Sequence, residues 1–77
     1  MIKEHDQIVL TTNILKDGLE AGDVGTVVHI YQDDLAYEVE FITLKGDTFT
    51  VVTLETTQVR PISNREITHA RELTVFA

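Results

Sequence analysis

The stretch Leu19-Glu20-Ala21-Gly22-Asp23-Val24-Gly25-Thr26-Val27-Val28-His29-Ile30-Tyr31 constrains this chain more than any other, because two closely spaced glycines run straight into an apolar, β-branched segment. Glycine reaches positive φ without steric penalty, so Gly22 and Gly25 mark a sharp turn. Thr26, Val27, Val28 and Ile30 favour a pleated, half-buried surface. The stretch reads as a tight turn feeding a central strand.

Four further segments have strand character. Gln7 to Thr12 is a short β-branched run after a polar, loose lead-in from Met1 to Asp6. Asn13 to Asp23 is a long connection, read as a loop because a helix over Ile14–Ala21 would carry Gly18 in its middle at about 1 kcal/mol against alanine. Ile14, Leu15 and Leu19 plug the space beneath it. The second strand covers Gly25 to Gln32, and Asp33-Asp34 turns the chain into the third, Ala36 to Thr43. There Tyr37, Val39 and Phe41 alternate with Glu38 and Glu40, which assigns one face to the core and the other to water. Gly46 serves the next turn, and Thr48 to Leu54 completes a meander. A 3₁₀-like turn at Glu55-Thr56-Thr57 precedes a fifth strand, Gln58 to Ile62, where Pro61 requires a strand end or an edge. The expected core is Ile8, Leu10, Val24, Val27 or Val28, Ile30, Tyr37, Val39, Phe41, Val51, Leu54, Val59 and Ile62.

Residues 63–77 support two patterns. Ser63 and Glu66 fit a capping box, with Ile67, Ala70, Arg71 and Thr74 on a helical stripe. Read with period two, the same residues form an added strand, and Leu73-Thr74-Val75-Phe76 is β-prone at its far end. The expected fold is therefore all-β: a small five-stranded SH3-like barrel over residues 1–62 and a C-terminal extension over 63–77 that is a helical turn or an added strand.

Composition narrows the function classes. A chain of 77 residues is one domain, and folding at this size buries only about 60% of the surface that the unfolded chain exposes. The absence of cysteine excludes disulfides and thiolate zinc sites and suits a reducing cytosol. No apolar run approaches a membrane span or a signal peptide, so the expected location is cytoplasmic, away from membranes. The net charge of −7 repels a phosphate backbone. That charge is uneven: eleven acids and three bases before residue 60 give −8, while Arg60, Arg65 and Arg71 against Glu66 and Glu72 leave the remainder at +1. A weakly basic tail on an acidic body is suited to folding back onto it or to engaging a second acidic surface.

No residue pattern carries catalysis. Glu38 and Glu40 sit on one strand face without a third polar group to tune them as a paired-carboxylate site. His5, His29 and His69 lack metal-ligand spacing, and Ser63, the sole serine, has no neighbouring His–acid pair. Gly22 and Gly25 are flanked by Glu20 and Asp23, which repel an anion. Neither a cofactor nor a metal is expected. Tyr31 and Tyr37 flank the Asp33-Asp34 turn and present an aromatic-acidic patch of the kind that grips peptides, the acids selecting a basic residue.

At Gly22-Asp23-Val24-Gly25-Thr26-Val27-Val28, Ala36-Tyr37-Glu38-Val39-Glu40-Phe41, Val52-Thr53-Leu54 and Gln58-Val59-Arg60-Pro61 the chain resembles, over nearly its whole length, a family of short bacterial proteins described as a domain of unknown function. That family is similar to the SH3-like barrels of the electron-transport accessory group, found in the photosystem I reaction centre and in the nitrile hydratase β-chain. The resemblance implies a binding or structural role and not an enzyme. Small toxin-like reading frames beside members of the family imply an antitoxin or immunity role. The Gly22-x-x-Gly25-x-Val27 turn is also similar to the KOW motif of ribosomal and transcription-elongation proteins, without the basic residues that such motifs bring to RNA.

The expected function is a non-enzymatic module that binds another protein, basic or toxin-like. Its candidate contacts are Tyr31, Asp33, Asp34, Glu38, Glu40, Arg65, Arg71 and Phe76, and the tail is a candidate homodimer contact. Two alternatives stay open: a KOW-like nucleic-acid-binding barrel, and an accessory protein that completes another protein's active site.

Overall fold

Runs of β-branched residues punctuated by glycine and aspartate turns fold here into one antiparallel sheet, in a computed structural model that describes residues 2–73 apart from the side chain of Asp34. Its strands are β1 (Gln7–Leu10), β2 (Val24–Ile30), β3 (Ala36–Ile42), β4 (Thr48–Glu55) and β5 (Val59–Pro61), in the spatial order β4-β3-β2-β1-β5. The long β1–β2 connection, the β2–β3–β4 meander and the 3₁₀ turn Thr56–Gln58 before β5 fit the small SH3-like barrel expected from the sequence. Among the described residues β4 and β5 remain the two edges of the sheet.

Ile8, Leu10, Leu19, Val27, Tyr37, Val39, Phe41, Leu54 and Val59 form the core, with Ile2, Ile14, Ile30, Phe49 and Val52 packed against it. Removing these side chains from water is the main force holding the sheet. Parity along the strands decides who is inside. Val27 is sealed whereas Val28 is 40% exposed, because the register shifts between Val27 and His29 and turns both Val28 and His29 outward. On β4, Val52 and Leu54 lie opposite Val39 and Tyr37, so Val51 points away at 46% exposure. Val51, Val24 and Ile62 are therefore corrections to the expected core, and Leu19 and Val9 are additions to it.

The long connection is a loop, as expected, with one 3₁₀ turn (Leu15–Asp17) ended by Gly18 at φ 71°. Leu19 plugs it and Ile14 packs beside it, while Leu15, expected as a third plug, is 75% exposed. Gly22 makes the turn assigned to it: at φ 98° it lets Asp23 N–H reach Glu20 C=O at 3.0 Å. Gly46, also at φ 98°, closes the β3–β4 turn. Gly25 is not a turn residue. It lies within β2 opposite Ile8, and a Cβ there would stand 2.5 Å from Val39 Cγ1 and 2.9 Å from Phe41 Cε1. Close strand packing, not backbone conformation, demands glycine at that position.

The lead-in is fastened and not loose: His5 N–H donates to Val27 C=O at 2.7 Å, and Val27 N–H to Asp6 C=O at 2.9 Å. At the other end, residues 62–73 form neither a helix nor a strand. The Ser63–Glu66 pair does cap, since the Glu66 carboxylate accepts Ser63 N–H at 2.7 Å and Ser63 Oγ accepts Arg65 N–H at 3.1 Å. Only a reverse turn follows, because the same Glu66 carboxylate is taken by Arg60 and the chain beyond is drawn toward Asp23.

Candidate functional site

The alternation of β3 places Tyr37, Val39 and Phe41 in the core and leaves Glu38 and Glu40 half-buried on the opposite face. Glu38 lies between His29 on β2 and Thr53 on β4, and Glu40 between Thr26 and Val51. Hydroxyls orient both carboxylates. Thr53 Oγ1 donates to Glu38 Oε1, the Tyr31 hydroxyl donates to the same oxygen at 3.3 Å, and Thr48 Oγ1 donates to Glu40 Oε2 at 2.6 Å. Tyr31 stands edge-on to His29, with ring centroids 4.7 Å apart, and His29 Nδ1 lies 3.8 Å from the Glu4 carboxylate.

Neither Glu38 nor Glu40 has a cationic partner among the described residues. Neutral hydroxyls fix the geometry of a carboxylate without cancelling its charge, so both carboxylates are oriented by hydrogen bonds and not by ion pairs. The structure thus brings Tyr31, Glu38 and Glu40 together. Asp33 is exposed in the 3₁₀ turn Gln32–Asp34, at φ 66°, beyond the end of β2. Asp34 shares that turn, and Phe76 lies outside the described residues. Arg65 is exposed at the tip of the Ser63–Glu66 turn, on a different part of the molecule.

Arg71 is turned inward. Its Nε and Nη2 donate to the two oxygens of Asp23 at 2.8 and 2.6 Å, Nη2 also donates to Gly18 C=O at 3.0 Å, and Nη1 lies 3.6 Å from Glu20. Burial alone raises the pKa of Asp23, but the hydrogen bonds from Arg71 and the Glu20 N–H outweigh it and hold the carboxyl below its ordinary value. A second clamp joins Arg60 to Glu66 in a two-pronged pair at 2.9 and 2.7 Å. That guanidinium, helped by the Ser63 N–H, lowers Glu66 to about 2. The basic tail does fold back onto the acidic body. Its anchors, Asp23 and Glu66, are not among the binding contacts expected from the sequence; the opposite charge balance of the two regions points toward Asp23, and the Ser63–Glu66 capping pattern toward Glu66.

Among the described residues no three His, Asp or Glu side chains converge as metal ligands, and no helix is long and apolar enough to cross a membrane. No curated protein and no solved structure matches the chain. The family model described as Domain of unknown function (DUF4926) matches residues 4–61, the whole sheet with its lead-in, and the chain belongs to that family.

Proposed function

We propose that this protein is a non-enzymatic binding module whose β2–β3–β4 outer face receives a basic segment of another protein. The observation that carries this reading is the uncompensated Glu38/Glu40 pair, held in place by Tyr31, Thr48 and Thr53, whereas Asp23 and Glu66 are each bonded to an arginine. Pre-oriented acceptors select a guanidinium or ammonium at low ordering cost. A net charge of −7 also steers a cationic partner toward the surface and nucleic acid away from it. A basic, toxin-like protein is the partner class that best suits this surface, and the module then acts as its antitoxin or immunity partner.

The test is co-purification at native expression, comparing the parent with a Glu38→Gln/Glu40→Gln variant. Recovery of a basic protein by the parent and its loss by the folded double variant is the expected result. Recovery of the same partner by both, or tight RNA binding by the parent in low salt, overturns the reading.

A further inference from the structure

The two edges of the sheet are finished differently. β5 is three residues long, contains Arg60 and ends at Pro61, and the Arg60–Glu66 clamp stands over it. Short length, charge and proline are devices that blunt a strand edge. β4 has none of them across Phe49-Thr50-Val51-Val52-Thr53-Leu54, six β-prone residues without a charge or a proline. Among the described residues, the backbone of Phe49–Leu54 bonds only toward β3. A groove of about 540 Å³ adjoins this strand, lined by Val52, Leu54 and Glu55 of β4 together with Ile14, Lys16 and Asp17 of the long connection.

We infer that the β4 edge takes an extended strand from the partner, with alternating apolar and basic residues. This rests on the acidic-face reading and adds the mode of capture. Strand addition gives affinity through main-chain hydrogen bonds and specificity through side chains that alternate between the two faces. On the inner face, apolar side chains of the added strand enter the groove against the partly exposed Ile14 and Val52. On the outer face, lysine or arginine side chains reach over Val51 and Thr53 toward Glu40 and Glu38, which lie directly across β4 from them. A second copy of this chain is the wrong occupant. Antiparallel pairing of β4 with itself brings Glu55 of one copy toward the Thr48 end of the other, next to Asp47, and like charges across a strand pair are destabilising.

The experiment uses the full chain and three synthetic octapeptides: one alternating valine and lysine, its valine–glutamate counterpart, and the lysine peptide with N-methylated amides. Amide exchange and backbone shifts are followed by NMR, and mass by light scattering. Binding of the lysine peptide alone, slowing exchange about tenfold or more at alternate residues of Phe49–Leu54, is the expected result. Shifts confined to Tyr31, Glu38 and Glu40, without protection of β4, overturn the strand inference and leave the acidic-face reading standing. Equal protection by the glutamate or the N-methylated peptide overturns the inference, the former taking the charge argument with it. Doubling of mass with β4 protected in the absence of peptide assigns the edge to a second copy and overturns it as well, as does the absence of any binding.

Discussion

Ile8, Val27, Val39 and Leu54 are sealed from water inside the sheet, whereas the segment 62–73 is fastened by Arg60–Glu66 and Arg71–Asp23 on its surface. The first attachment is apolar and non-directional, and neither salt nor acid in the ordinary range weakens it much. The second is made of charge-assisted hydrogen bonds, with Ile67 at 94% exposure adding almost no burial. One chain therefore carries a body that responds to packing and a strap that responds to charge. The contrast predicts that each can be broken without the other.

Gly25→Val gives the largest effect. Its side chain meets Val39 and Phe41, whose positions the core fixes, so the expected loss is about 3 kcal/mol or more, seen as a lower urea midpoint or an unfolded chain. Gly22→Val places a β-branched residue at φ 98° in open space and costs about 1–3 kcal/mol by strain alone. A Gly25 variant that melts like the parent contradicts the packing account, and a Gly22 variant that does so contradicts the strain account.

Arg71→Ala sharpens the comparison from the other side. Removing the guanidinium leaves the part-buried Asp23 carboxylate with only the Glu20 N–H, and after allowance for solvent screening the cost is about 1 kcal/mol. Protease cleavage within 62–73 should accelerate while amide protection in β1–β3 stays close to that of the parent. Equal loss of protection in the sheet defeats the separation of body from strap.

Acid acts on the same strap. Asp23 and Glu66 both have folded pKa values below their ordinary ones, so their contribution is fully present above the ordinary carboxylate range and is lost as pH falls toward the folded values. For Glu66 the window runs from 4.5 down to about 2. NMR signals of Ser63 to Glu66 should shift to those of a released turn across that interval, before the core signals move. Salt gives the smallest effect: about 1 M NaCl should loosen the more exposed Arg60–Glu66 clamp ahead of Arg71–Asp23, and the reverse order contradicts the exposure argument.

The sheet was legible because Tyr37, Val39 and Phe41 alternate with Glu38 and Glu40, and because Gly22 and Gly46 sit where the chain must turn. Errors fell where local pattern and register part company. Val51 and Val52 are chemically alike, and only the ladder to β3 shows which one faces Val39. Gly25 has the sequence context of a turn glycine, since a sequence does not display the side chains of a neighbouring strand. Of the candidate site, the outward Glu38 and Glu40 could be read from periodicity, but their Thr48 and Thr53 donors come from another strand and could not. Residues 63–77 offered a helical and an extended pattern of similar quality, and up to Leu73 the chain adopts neither, its course being set by two ion pairs.

The Arg71–Asp23 pair joins residues 48 positions apart, which gives it a place in time as well as in space. Closing so large a loop by hydrogen bonds alone contributes little until β1, β2 and the Glu20–Asp23 turn already stand in place. The strap should therefore be the last part of the described chain to settle during folding and the first to leave on unfolding. In that interval Asp23, Glu20 and the Gly18 carbonyl form an uncovered, negatively polarised seat at the mouth of the long loop.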